Sequence, residues 1–491
     1  MAHVLRAHYF PTTSALANAV TVSFVSGNSG SSGFGLESYQ MGMPGISAAR
    51  NSALTSDRVR PQFSKRETVT DVFSLTVYGS STSDLYTNLH YLARLGEYAR
   101  LMQENPSARQ VAYLELQPNG GASAVYAPIY DARVEMPDDW LDTDSATKRI
   151  EGVTLTIERE IWRGVIPALG APEAFTYLGS IISGGSVGGS TGSVTSSSVV
   201  GDVEAYTTFS AYSQTADNID RFIMGYRSYA LGGASHGSLG KKQSESATFG
   251  IIADSTAGAD ATASGGNAGI ITFATSASDT IRFTGASIPH GIHRVFARVR
   301  VTSGTEATVK LGYQDSAYST SVAWKTNTAV TVTSATYITV DLGVASFWQN
   351  PPAIQVNDGV TGSYAVYASR TSGSGSLYVD YLFFMPTEGY VSVSGAGITH
   401  ANAFKLIYDE ASIAFKGASI VTAGVSGANT EVWLRARACT FSGELRVKPG
   451  VGTFYWIAGA ESGGYITDTL SANDPLIGIY ATSRFLMPIQ I

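Results

Sequence analysis

Three segments of the chain spell Gly-x-Ser-x-Gly, the pattern that surrounds the nucleophilic serine of many hydrolases: Gly184–Gly188, Gly188–Gly192 and Gly233–Gly237. A nucleophile elbow needs a strand before the serine and a helix after it, so that the hydroxyl sits on a strained turn. None of the three has that setting, and a chain with 52 glycines produces such matches by chance. Asp138, Asp139, Asp142 and Asp144 cluster in PDDWLDTDSATK. Oxygen-rich clusters can hold calcium, but the glycine and closing glutamate of an EF-hand loop are missing, so a plain surface loop is the first reading and a weak calcium site the second. The seven histidines are scattered; His290 and His293 in PHGIHR flank a turn before a strand, and no helical HExxH spacing exists. Cys439, the one cysteine, rules out an intrachain disulfide and a cysteine-based metal site, and is expected to be a small buried apolar residue. No pair of carboxylates reads as the acid and base of a glycosidase. An enzyme is not expected, and neither is a cofactor.

Aromatic residues offer a different chemistry. Between residues 237 and 389, Tyr313, Tyr318, Trp324, Trp348 and Tyr364 could stack on sugar rings, with Asn350 and Asp358 hydrogen-bonding the hydroxyls. The candidate glycan contacts are Tyr318, Trp324, Trp348 and Asn350. Trp324 lies in VAWKT and suits a sandwich core equally well, because large aromatics dominate such cores.

The elements that would position these groups are mostly short strands. Val153, Leu155 and Ile157 alternate with Thr154, Thr156 and Glu158, the period-two signature of a half-buried strand. VFSLTVYG (72–79) alternates in the same way. Directly after it, Leu85, Leu89, Leu92, Leu95, Ala99 and Met102 recur at steps of three and four, which predicts one long helix. Residues 26–57, rich in Gly, Ser and Met, run far longer than most loops in a compact domain; such a segment is usually functional, mobile or ordered by a partner. Residues 179–201 are low-complexity Gly/Ser/Thr, expected to be a flexible linker or a mobile surface loop. From about 237 to 389 strand-like runs and turns follow at the regular spacing of a β-sandwich or jelly roll.

The 491 residues suffice for three or four domains of about 100–200 residues. The hydrophobic fraction of 44% builds cores, whereas the charged fraction of 14% falls well below the usual ~25%. A polar but sparsely charged surface suits a protein that sits against copies of itself. The net charge of −7 and the lack of any Lys/Arg-rich run argue against a reader that grips phosphates, and are compatible with a duct through which DNA slides without sticking. No 18-residue apolar run and no secretory leader are visible, so membrane insertion is not expected.

The order of elements in residues 1–168 resembles the N-terminal domain of siphophage distal tail proteins and their tail-tube relatives. The resemblance rests on VFSLTVYG, the helix TSDLYTNLHYLARLGEYARLM, VAYLELQPNGG, APIYDARVE and the closing GVTLTIEREIWRG. VKPGVGTFYWIAGAE and LIGIYATSRFL are similar to the end of the second distal-tail sandwich, with Gly452 where an asparagine is usual. The resemblance implies a mainly β, multi-domain chain. Residues 1–168 would form a ring-forming β-sandwich with one flanking helix. Residues 169–236 and 390–491 would form a discontinuous second sandwich, and 237–389 an inserted jelly roll similar to carbohydrate-binding modules. Gly-rich segments at both ends of the insert suit a tolerated surface insertion. It further implies self-association into a hexamer or pseudo-hexameric trimer around a DNA channel, with tail-tube and baseplate proteins as neighbours. The setting would be the tail of the virion, assembled in the host cytoplasm, with host surface polysaccharide touched by the insert. A tube protein repeated along the whole tail, and a free polysaccharide-binding lectin, are the alternatives.

Overall fold

The computed structural model describes residues 4–9, 20–26, 32–52, 59–66, 68–104, 112–117, 124–138, 140, 148–164, 176–177, 182–183, 191–195, 201–212, 219–228, 240–243, 248–249, 255–273, 278–283, 287–289 and 291–315. It also describes 323–324, 328–347, 359–387, 389–398, 402–409, 414–422, 430–434, 440–444, 446–467, 476–481 and 484–485. The chain is mainly β and multi-domain, with a single α-helix among the described residues.

The first unit runs β1 (Val4–Tyr9), β2 (Val20–Ser26), β3 (Gly33–Gln40), β4 (Ile46–Ser52), β5 (Val59–Arg66), β6 (Val69–Tyr78), α1 (Thr82–Glu104), β7 (Ala112–Gln117), β8 (Val125–Glu135), β9 (Arg149–Arg159) and β10 (Trp162–Arg163). Its sheet follows the order β8–β7–β1–β2–β3–β6–β9, and β8 also pairs with β9, so seven strands close into a barrel. The closure is local to β8. Its first half pairs with β7 through Val125–Pro128, and from Ile129 onward its second half pairs with β9, with an irregularity between Ile129 and Asp131. Such an extra residue bends a strand and sharpens its twist. Alternate residues face one core: Leu5, Ala7 and Tyr9; Val22 and Phe24; Phe73, Leu75 and Val77; Val153, Leu155 and Ile157.

Ser81 caps α1, its hydroxyl accepting the Asp84 amide at 3.1 Å, and the Asp84 carboxylate accepts the Ser80 amide at 2.7 Å. Leu85, Leu92, Leu95 and Ala99 are wholly buried and join the barrel core, each leucine contributing about 1.5–3 kcal/mol of burial. The helix packs chiefly on β8, where Gly96 lies so close to the Ala132 carbonyl that any side chain at 96 would strike it.

Three segments depart from the sequence-based expectation. Residues 26–57 are not one long loop: β3 lies in the barrel, parallel to β2 and antiparallel to β6, and β4 forms an antiparallel hairpin with β5. That hairpin pairs with no other described strand. Within 179–201, Thr191–Thr195 pairs with Thr453–Ile457, so this part of the expected linker is a strand. The last described strand, Arg484–Phe485, pairs with Trp162–Arg163 and so joins the first unit's sheet.

Between residues 176 and 481 the described strands form three sheets. Ile182–Ser183, Ala205–Tyr212, Asn402–Asp409, Ala414–Thr422, Thr430–Leu434 and Leu476–Ala481 belong to one. A seven-stranded sheet, all from residues 248–372, contains Ser278–Phe283, Glu306–Asp315 and Gly359–Ser372. The third has twelve strands and joins two regions. Ser255–Ala259, Asn267–Thr272, Ser376–Pro386, Gly291–Val301 and Ile338–Phe347 continue through Tyr465–Thr467 into Gly452–Ser462, Ile219–Ser228 and Gly389–Ile398.

Candidate functional site

The residues that alternate with the barrel core point away from it and make a polar face. On β2 these are Thr21 and Ser23, both exposed; on β6, Ser74; on β9, Thr154, Thr156 and Glu158. Glu37 accepts hydrogen bonds from Ser74, at 3.0 Å, and from Thr76. Register places Glu158 opposite Thr70 and Asp131, Thr156 opposite Arg133, and Thr154 opposite Glu135. The arginines of this face pair with its own carboxylates: Arg6 with Glu115 at 3.5 Å, Arg133 with Asp131 at 2.8 Å, and Arg149 with Glu151. Hydroxyls and spare carboxylates dominate what remains.

A tight polar cluster sits within it. His8 Nε2 lies 2.5 Å from Glu115 Oε2, and His8 Nδ1 lies 3.0 Å from the Thr21 hydroxyl. Both His8 and Glu115 are buried, 4% and 6% exposed. The His8 hydrogen bond holds the Glu115 carboxyl below its ordinary range against the upward push of burial, and Arg6 assists.

A second polar group is internal. Arg159 and Asp71 are 1% and 0% exposed, and the guanidinium grips the carboxylate with two bonds, Nε to Oδ2 at 2.5 Å and Nη2 to Oδ1 at 3.1 Å. The Tyr39 hydroxyl donates to Asp71 at 3.1 Å, and the Gly42 amide does so at 2.8 Å. Arg159 also covers the ring of buried Trp162 at 4.2 Å and donates to the Glu160 carbonyl at 2.9 Å. Burial, with the adjacent Asp71 charge, pushes the Tyr39 phenol far up. This group ties β3, β6, β9 and the turn after β3 together at one end of the barrel.

A third group pins the loop 260–266 to the twelve-stranded sheet. Asp260 accepts bonds from Thr262, from Arg300 at 2.7 and 3.0 Å, and from the Tyr337 hydroxyl at 2.8 Å. Burial alone would raise Asp260, but these donors outweigh it and hold the carboxyl down at about 2. Asp380 pairs with Arg298 and accepts the Ser264 amide at 3.1 Å and hydroxyl at 2.9 Å. Arg300 stacks on Tyr378 at 3.7 Å, and Arg298 on Tyr337 at 4.2 Å.

Of the candidate glycan contacts, Tyr318, Trp348 and Asn350 lie outside the described residues, as does Asp358. Trp324 is described by its backbone, which pairs with Gly312; Tyr313 pairs with Ala323 and with Tyr364. Of the acidic cluster, Asp138 is exposed, and Asp139, Asp142 and Asp144 lie outside the described residues. Cys439 and the serines of all three Gly-x-Ser-x-Gly matches do too. His293 does not flank a turn: it is wholly buried inside the strand Gly291–Val301, and His290 lies outside the described residues. Among the described residues no three His, Cys, Asp or Glu side chains are placed to hold a metal ion, and no helix is long and apolar enough to cross a membrane.

No protein-family model matches the sequence, and neither does any characterised protein. Solved structures give likenesses of fold. The xylan-binding CBM22-1 domain of Paenibacillus barcinonensis Xyn10C is 16% identical over 31% of this chain and 99% of its own, with a TM-score of 0.23. The Dit protein of SPP1, a paradigm of the hub adsorption apparatus in phages infecting Gram-positive hosts, is 8% identical over 72% of this chain and 93% of its own, with a TM-score of 0.23. A chain of the phage P2 baseplate in its activated conformation with calcium is 10% identical over 76% of this chain and 99% of its own, with a TM-score of 0.21.

Proposed function

We propose that the chain is a structural subunit of a tailed-phage tail, assembling into a ring around the DNA channel as the distal-tail hub. The observation that carries this reading is the polar face of the first barrel. It is built of hydroxyls and carboxylates, and its arginines are already paired with acids of the same face. A wall next to moving DNA must not neutralise phosphates, because each captured phosphate adds an affinity that stalls sliding. The helix leaves this face uncovered, with Tyr86, Thr87, His90, Arg94 and Glu97 exposed on its own far side.

The hairpin β4–β5 supports the self-association part of the reading. A two-stranded sheet with no further partner is marginal in water and gains stability by packing on something else. Its span, 46–66, carries Arg50, Arg58, Arg60, Lys65 and Arg66 against Asp57, whereas the chain as a whole is at −7. A neighbouring copy supplies the opposite charge.

Residues 237–389 would face outward and touch host surface polysaccharide through Tyr318, Trp324, Trp348 and Asn350. The reading assigns no reaction to the chain. Imaging purified protein by negative stain tests it: rings with a central hole are expected, and a population of monomers at every concentration overturns it. Copy number in the virion then separates a hub, at a few copies, from a tube protein, at hundreds.

A further inference from the structure

We infer that residues 240–386 and the strands Ile219–Ser228, Gly389–Ile398 and Gly452–Ser462 form one rigid arm, so that a pull on the former is delivered undamped to those strands. Gly-rich segments at both ends favour a tethered lobe, and relative motion is the default between domains unless their interface is large and apolar. Here two independent features remove that freedom.

The first is shared hydrogen bonding. Ile338 and Thr339, at the start of Ile338–Phe347, pair with Thr467 and Ile466, and the same short strand pairs through Ala460–Ser462 with the strand Gly452–Ser462. The sheet therefore crosses from one region to the other without a break in its ladder. Rotation about that junction would expose backbone donors and acceptors on both sides.

The second is a common core. Ile223, Tyr455, Ile457 and Ile466 belong to the same buried cluster as Val295, Val340, Phe383 and Met385. The strand Ser376–Pro386 is buried on both faces over nearly its whole length. Phe383 meets Tyr455 edge-on with ring centroids 6.5 Å apart. Gly225 sits directly under Met385 and Pro386: a Cβ there would lie 2.6 Å from the Met385 sulfur and 2.6 Å from the Pro386 oxygen. Such contact leaves no slip plane.

The stiffness of this arm is independent of whether the chain forms rings. Spin labels at Ser303→Cys and Val451→Cys, with Cys439→Ala to remove the native thiol, report the distance across the junction by pulsed electron resonance. Labelled copies diluted into unlabelled ones exclude signals between subunits. A single narrow distance is expected, unchanged when the labelled protein binds a polysaccharide or is crowded. A broad or two-peaked distribution in this otherwise unaltered chain overturns the inference. Gly225→Val should broaden the distribution, and circular dichroism of that variant checks that it still folds. Hydrogen exchange gives a second readout: the amides of the 338–339/466–467 junction should exchange as slowly as those of Val295–Val299, and fast exchange there also refutes the rigid arm.

Discussion

Asp71→Ala is the sharpest perturbation of the first barrel. It removes the only carboxylate hydrogen-bonded to Arg159 among the described contacts and leaves a guanidinium that is 1% exposed without its counter-charge. It also removes the acceptor of the Tyr39 hydroxyl and of the Gly42 amide. Breaking a buried pair by deleting one partner costs about 3–5 kcal/mol. For a unit of this size each kcal/mol shifts the melting temperature by about 2–4 °C, so the barrel should melt roughly 6–20 °C lower. Deleting both charges is different, because apolar replacement of a buried pair is often neutral. Asp71→Leu with Arg159→Met should therefore recover the part of the loss that comes from the unpaired guanidinium. Trp162, under Arg159, provides a local fluorescence signal, and hydrogen exchange in β6 and β9 assigns the change to this unit. If Asp71→Ala melts within about 1 °C of the parent, or if the double substitution is as damaging as the two single ones added, the pair does not hold the barrel as argued.

Other outcomes follow from the same geometry. Gly96→Leu should push α1 off Ala132 and destabilise the first unit by about 1–3 kcal/mol, read as lost helix signal at elevated temperature. The Glu115 carboxyl is held below its ordinary 4.5, so its contribution is present above that pH and lost as pH falls through the folded value. The urea midpoint should drop more steeply on acidification in the parent than in Glu115→Gln, and parallel curves would contradict this. For Asp260, held at about 2, the stabilisation is complete above 3.8 and disappears as pH falls toward 2; Asp260→Asn should flatten that dependence and raise exchange in the 260–266 loop. Deleting 46–66 should leave the barrel folded by circular dichroism while abolishing self-association, and the parent's association should weaken at high salt.

How much of this could be read from the residues depends on how local each feature is. Helix α1 was legible because Leu85, Leu92, Leu95 and Ala99 repeat at helical spacing within one segment, and β6 and β9 were legible from strict alternation. Strand β3 was hidden because its neighbours are Gly and Ser, so composition outweighed the short apolar pair Phe34–Leu36. The strand at 191–195 was hidden for the same reason. The closure of the barrel through both halves of β8 and the sheet shared through Tyr465–Thr467 join residues far apart in the chain, and no window of sequence contains them. The buried charges were missed likewise: Asp71 and Arg159 are 88 residues apart, and His8 and Glu115 are 107 apart. Aromatic composition drew attention to Trp324 and its neighbours, whereas the polar face of the barrel is carried by ordinary serines and threonines that no motif marks.

A density map of the assembled ring tests the central claim most directly. Thr156, Ser74 and Glu158 should line the hole while Tyr86, His90 and Arg94 of α1 lie at the outer rim. A ring with the helix facing the hole, or a protein that never closes into rings, would contradict it.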